Sequence, residues 1–196
     1  MSKRLFDILF STFGIILISP LIVLIIILIK IDSKGTVFYM QERIGKNGKK
    51  FKIFKFRTMI TNAYKSGLLT LGDRDHRITK IGRILRKTKL DEIPQLFNVF
   101  IGEMSFVGPR PEVEKYVDLY SKEQREILQL KPGITDYASI AYIDESILLG
   151  KAADPEKTYI ENIMPHKIEL NKQYLLKKSL FYDVRIIILT IFKIFR

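Results

Sequence analysis

Between Ile8 and Ile29 the chain runs for 22 residues without a charge, and most of them are isoleucine or leucine. A helix of that length extends roughly 33 Å, about the thickness of a bilayer's hydrocarbon core. The run is apolar on every face, unlike a helix that buries one stripe in a soluble core. It is too long for a signal peptide's apolar region and lacks a small-residue cleavage site. We read it as a membrane segment. Ser19-Pro20 falls at its centre. The proline cannot donate to the carbonyl of Ile16 and disfavours helix at Ser19, so a bend is expected there, with the Ser19 hydroxyl able to satisfy the orphaned carbonyl. Two arrangements follow: a kinked helix that spans, or a re-entrant helix-break-helix with both ends on one face. Lys3 and Arg4 before the run, and Lys30 with a basic block after it, make both ends cytoplasmic in character.

That basic block carries the charge argument. Residues 41–90 hold fifteen lysines and arginines against Glu42, Asp73 and Asp75, which equals the net charge of +12 for the whole 196-residue chain. Such a block calls for a polyanionic partner: nucleic acid, anionic lipid or a diphosphate. Cysteine is absent, which excludes disulfides, a thiol nucleophile and a thiolate metal site. His76 and His166 have no metal-ligand spacing.

Within the block, Thr36–Ile44 and Phe51–Met59 read as a β-hairpin turned by Gly45 and Asn47-Gly48. Lys55 and Arg57 share one face of the second strand, either as a phosphate clamp or as a solvated face. Residues 60–77 read as a loop with turn residues Gly67, Gly72 and Asp73. From Ile78 to Thr88 the pattern is a basic amphipathic helix, lying in the membrane interface or packed on a core. Ser121–Leu130, with a Ser121/Gln124 capping box, reads as helix, as do a stretch started by Asp154-Pro155, Ile168–Lys177 and the apolar Leu180–Phe195.

The chemistry concentrates between Lys89 and Pro111. Asp91-Glu92 precedes Pro94, a residue suited to the first turn of a helix reaching about Ile101. Adjacent carboxylates repel unless a cation intervenes, and Mg²⁺ is the natural cation beside phosphates. Taken alone, the pair is also simply a good helix start. Gly108-Pro109-Arg110-Pro111 fixes one guanidinium between two prolines, a geometry suited to bidentate phosphate contact.

Four stretches, Lys55-Phe56-Arg57-Thr58-Met59, Asp91 to Val99, Gly102 to Pro111 and Lys131-Pro132-Gly133-Ile134-Thr135, together resemble the bacterial sugar transferases, the monotopic phosphoglycosyl transferases. The resemblance covers nearly the whole chain in order, and the length matches the family's small members. It implies an α+β, mostly α fold: a re-entrant membrane segment and linker over 1–35, then a membrane-associated catalytic domain over 36–196 with interfacial helices around the site. It implies transfer of a sugar-1-phosphate from a UDP-sugar to undecaprenyl (polyprenyl) phosphate at the cytoplasmic face of the bacterial inner membrane, releasing UMP and starting surface-glycan assembly. The family's dyad maps onto Asp91 as covalent nucleophile and Glu92 as Mg²⁺ ligand. Its Pro-Arg-Pro loop maps onto Pro109, Arg110 and Pro111, with the arginine near substrate phosphate. Its re-entrant break maps onto Ser19 and Pro20. Lys55 and Arg57 would join Arg110 in offsetting phosphate charge. Nucleic acid is then no partner, and monomer or homodimer stays open. One departure matters: where many members continue Gly-Trp-Ala-Gln-Val-Asn-Gly, this chain has Asp136-Tyr137-Ala138-Ser139-Ile140-Ala141-Tyr142. Residues 136–150 are therefore where sugar choice is expected to reside.

Overall fold

The computed structural model describes residues 2–63, 69–70, 72 and 75–194. Gly67 and Asp73, expected as turn residues, lie outside the described residues. Gly72 is within them and takes the left-handed conformation.

The apolar run forms one helix, α1 (Lys3–Asp32). Thirty residues make it roughly 45 Å long. Ser2 caps its start, accepting from Leu5 N. Helical backbone continues through Pro20, so Ser19-Pro20 is not a gap in the helix. The local compensation is nevertheless present: Ser19 Oγ donates to Ile16 O at 2.8 Å, the carbonyl that the proline leaves without an amide. Much of α1 faces outward, with Phe13, Ile16, Leu17 and Ile31 each more than 60% exposed. That is a surface for lipid, and α1 is long and apolar enough to cross a membrane.

The remaining elements pack along α1 at both ends. Strands β1 (Phe38–Ile44) and β2 (Lys50–Phe56) form the expected antiparallel hairpin, with Ile44 opposite Lys50. Asn47 and Gly48 take positive φ in its turn. The second strand stops at Phe56; beyond it Met59 makes an isolated bridge to Ile78. Helix α2 (Lys80–Lys87) starts at Thr79, whose hydroxyl accepts from Gly82 N. Asp32, at the end of α1, accepts from Ile81 N at 2.9 Å and so adds a second cap to α2. Ile25 and Ile29 of α1 are buried against Val37, Phe56 and Leu85. At the other end Arg4 donates to the carbonyls of Val99 and Phe100, each at 2.6 Å, closing the C-terminus of α3 (Gln95–Ile101). Asp7 is buried, accepting from Ser105 Oγ and Phe106 N.

A parallel pair, β3 (Ser105–Val107) and β4 (Gly133–Thr135), sets Ser105 beside Gly133 and Val107 beside Thr135. Between them lie α4 (Glu114–Val117) and a 3₁₀ segment over Gln124–Gln129. The expected Ser121–Leu130 helix is thus shorter and tighter, although its capping box forms: Ser121 N donates to Gln124 Oε1 and Gln124 N to Ser121 Oγ. After β4 come α5 (Tyr137–Ala141), α6 (Glu145–Lys151) and α7 (Pro155–Thr158, capped by Asp154). A π-helical turn over Tyr159–Ile163 leads into α8 (Met164–Lys177). The last helix is α9 (Leu180–Ile194). Ile44, Tyr116, Tyr159, Met164 and Ile168 anchor the core under this half.

Candidate active site

The chain reverses at Lys89, which takes the left-handed conformation (φ 57°). That conformation is unfavourable for a residue with a Cβ, by roughly 1 kcal/mol. It feeds a 3₁₀ turn over Leu90–Glu92, and α3 follows. Asp91 and Glu92 therefore stand just ahead of the helix. Asn98 ties α3 to β2, accepting from Phe54 N and donating to Lys52 O, and so fixes the turn relative to the strand that bears Lys55.

The two carboxylates have opposite surroundings. Glu92 accepts from Lys55 Nζ at 3.0 Å and from Arg110 Nη1 at 3.2 Å, with Arg110 Nη2 forming a second bond to the same carboxylate. Burial opposes its charge, but Arg110 and Lys55 outweigh burial and hold it well below the usual carboxylate range. Asp91 is buried and makes no hydrogen bond within the described residues. Burial, reinforced by Glu92, pushes its carboxyl upward, against smaller opposing effects of Lys55, Arg86 and Lys89.

Arg110 is held as the two prolines predict, and by more than the prolines. Its backbone N donates to Asp136 Oδ2 at 3.0 Å, and Asp136 also accepts from Ser139 N as the N-cap of α5. Gly133 N donates to Pro109 O, Gly108 N to Thr135 O and Arg43 Nη1 to Pro111 O. Gly108 cannot be replaced cheaply: a Cβ there would lie 2.1 Å from the carbonyl oxygen of Lys131.

These groups border a basin of about 1270 Å³. Arg83, Arg86, Lys87 and Lys89 line it near Asp91. Ile18, Leu96, Phe106 and Ile194 give it an apolar side that includes the middle of α1. Tyr142, Glu145, Tyr159 and Lys167 form another wall.

The structure brings together Asp91, Glu92, Lys55 and Arg110. It does not bring Arg57 to them: that guanidinium is buried, donates to Ser33 O and Oγ at 2.7 and 2.9 Å, and does not line the basin. Arg57 lies one residue past the strand, where its amide still donates to Val37 O, and its guanidinium is taken up by Ser33 at the end of α1. Among the lining residues that sequence reasoning missed, Gln41 and Arg43 follow the same two-residue alternation on β1 and were detectable from it. Asp136 had a cap signature, but nothing in the sequence signals its bond to Arg110.

Among the described residues no group of three or more histidine, cysteine or acidic side chains converges as a metal cage. A vicinal carboxylate pair beside a basic basin is still what Mg²⁺ commonly uses, since it keeps waters and takes ligands from substrate phosphates. A carboxylate has about four lone-pair sites, and the bonds from Lys55 and Arg110 leave one free on Glu92 Oε2. The residues present therefore fit a substrate-assisted Mg²⁺ site.

A long apolar helix joined to a small α+β unit, with paired carboxylates and a fixed arginine over a basic basin, defines a class of membrane-associated proteins with a site suited to phosphates. The chain belongs to the bacterial sugar transferase family, whose model matches residues 1–196. It is 39% identical over 194 residues to the UDP-N-acetylgalactosamine-undecaprenyl-phosphate N-acetylgalactosaminephosphotransferase of Aeromonas hydrophila, covering 96% of this chain and 42% of that protein. It is 40% identical over 195 residues to the UDP-glucose:undecaprenyl-phosphate glucose-1-phosphate transferase of Klebsiella pneumoniae, covering 97% and 39%. It is 38% identical over 192 residues to the uncharacterized sugar transferase EpsL of Bacillus subtilis, covering 98% and 86%. The chain thus spans about two-fifths of the length of the first two relatives and most of the third.

Proposed function

We propose that the protein transfers a sugar-1-phosphate from a UDP-sugar to undecaprenyl phosphate and releases UMP. The observation that carries this reading is Asp91: a buried carboxylate without hydrogen bonds among the described residues, open to a basic basin and set beside a neutralised Glu92. A largely buried carboxylate that no hydrogen bond among the described residues engages, and that still lines an open basin, is free to act as a nucleophile. The names of the relatives support the same substrates.

In the first step an Asp91 oxygen bonds to the β-phosphorus, the bond from that phosphorus to the bridging oxygen breaks, and UMP leaves with the electron pair. In the second step an anionic oxygen of the lipid phosphate bonds to the same phosphorus and the Asp91 carboxylate is released. The acceptor is already an anion, so neither step requires a general base. Arg110 and Lys55 hold charge on the transferring phosphoryl group, and the Pro-Arg-Pro loop limits the reorganisation this needs. Glu92, with Asp91 nearby, would hold Mg²⁺, which supplies Lewis-acid neutralisation of diphosphate charge when bound.

The basin's apolar side suits a lipid acceptor. Catalytic elements touch α1 near both ends, at Arg4 and Asp7 and again at Ile25 to Asp32. A perpendicular span would draw those polar partners into hydrocarbon, so this supports a re-entrant α1 with both ends at the cytoplasmic face of the inner membrane. UMP release from a UDP-sugar, dependent on Mg²⁺ and undecaprenyl phosphate, tests the activity. A sugar-phosphate mass adduct on Asp91 tests the intermediate, and full turnover by Asp91→Asn would refute it.

A further inference from the structure

The basin is also lined by a group of partly buried ions that the transfer chemistry does not use. Lys167 Nζ donates to Glu145 Oε2 at 2.9 Å and lies 3.8 Å from Glu112 Oε1. Tyr159 OH donates to Glu112, Arg43 lies 3.6 Å from it, and Lys167 sits 5.3 Å from the centre of the Tyr159 ring. Lys167 is 8% exposed, so its charge is held by these partners rather than by water. Glu145 is different. Its side chain is 28% exposed, it lines the basin, and its Oε1 makes no hydrogen bond within the described residues.

A buried ion pair is weak as a stabilising device, because desolvation cancels much of the attraction. It is effective at holding one carboxylate oxygen at a fixed place. Glu112 and Glu145 are matched by Arg43 and Lys167, so the group is close to neutral and holds a diphosphate less well than the lysines and arginines near Asp91. It suits a neutral polyol, whose hydroxyls donate to carboxylate oxygens and whose ring rests on tyrosine faces. The placement agrees with the chemistry. The sugar of the donor is one phosphoester link from the phosphorus that Asp91 would attack, and Glu145 is near enough to Arg110 to reinforce that guanidinium's charge.

We propose that Glu145 reads the ring hydroxyls of the donor sugar, with Lys167 as the residue that positions it. This rests on the transfer reading above and adds to it the residue that sets sugar choice. The experiment measures UMP release by the full chain with UDP-glucose, UDP-galactose and their N-acetylamino counterparts as probes. Glu145→Gln is expected to lower kcat/KM for the preferred donor by about tenfold, mainly through KM, and to narrow its margin over the C4 epimer. Lys167→Met is expected to do the same without touching substrate. Inhibition by UMP, which has no sugar, is expected to be unchanged in both variants. An unchanged donor ranking and KM, or UMP inhibition weakened in parallel, overturns the assignment while leaving the transfer reading intact. No UMP release by the wild type from any donor overturns both.

Discussion

Asp91 and Glu92 are neighbours in the chain with opposite electrostatic fates: Glu92 is bonded by Lys55 and Arg110, whereas Asp91 is buried without a hydrogen bond among the described residues. The first arrangement favours the folded state. The second works against it, a cost that the proposed nucleophile role would explain.

Asp91→Asn is expected to stabilise the protein while ending transfer. The folded pKa of Asp91 lies above its unfolded value, so the folded state holds more protons and stability falls as pH rises between the two. A neutral amide removes that penalty, worth on the order of 1 kcal/mol or roughly 2–4 °C in Tm. Circular dichroism melts of both proteins in detergent give the comparison. The gap should widen as pH rises through the acid range, and a lower Tm for the variant at neutral pH would contradict it.

The pH profile of adduct formation, measured without acceptor so that lipid phosphate does not titrate, should show a displaced bell. Its acid limb lies above the ordinary carboxylate range because Asp91 must ionise and burial raises its pKa. Its alkaline limb comes earlier than for a free lysine because burial lowers Lys55. An acid limb at the ordinary carboxylate position would speak against Asp91 as nucleophile.

Arg110→Lys is expected to reduce kcat by about 10²–10³-fold, since an ammonium cannot reproduce the fork that grips Glu92 and, in the proposed reaction, would also hold phosphate. Single-turnover UMP release reads this directly. A loss confined to KM would place Arg110 in ground-state binding alone.

Because the chain has no cysteine, single cysteines report on sidedness without background. Ser2→Cys and Lys34→Cys flank α1, and both positions are exposed. Impermeant maleimide added to intact spheroplasts should label neither until the membrane is opened. Labelling of one from outside would mean that α1 crosses.

The hairpin, α3 and the Asp91–Arg110 constellation were legible because each has a local signature: Asn47-Gly48 for the turn, Pro94 for the helix start, two prolines around one arginine. Arg57 is drawn away from the expected site: periodicity says which face a residue occupies and not which neighbour, here Ser33, takes its side chain. Asp136 on Arg110 N and Lys167 on Glu145 were invisible, being contacts across 26 and 22 residues with no pattern to announce them. The persistence of helix through Pro20 reflects a lone hydroxyl doing the work of a missing amide.

The grip of Arg4 on Val99 and Phe100 has a practical corollary. Cutting the chain after residue 35 to obtain a water-soluble catalyst would uncap α3 at one end and strip Ile25 and Ile29 from Phe56 and Leu85 at the other. The apolar α1 is therefore part of the fold that the site rests on, and assays of the proposed activity belong in bilayers or nanodiscs from the outset.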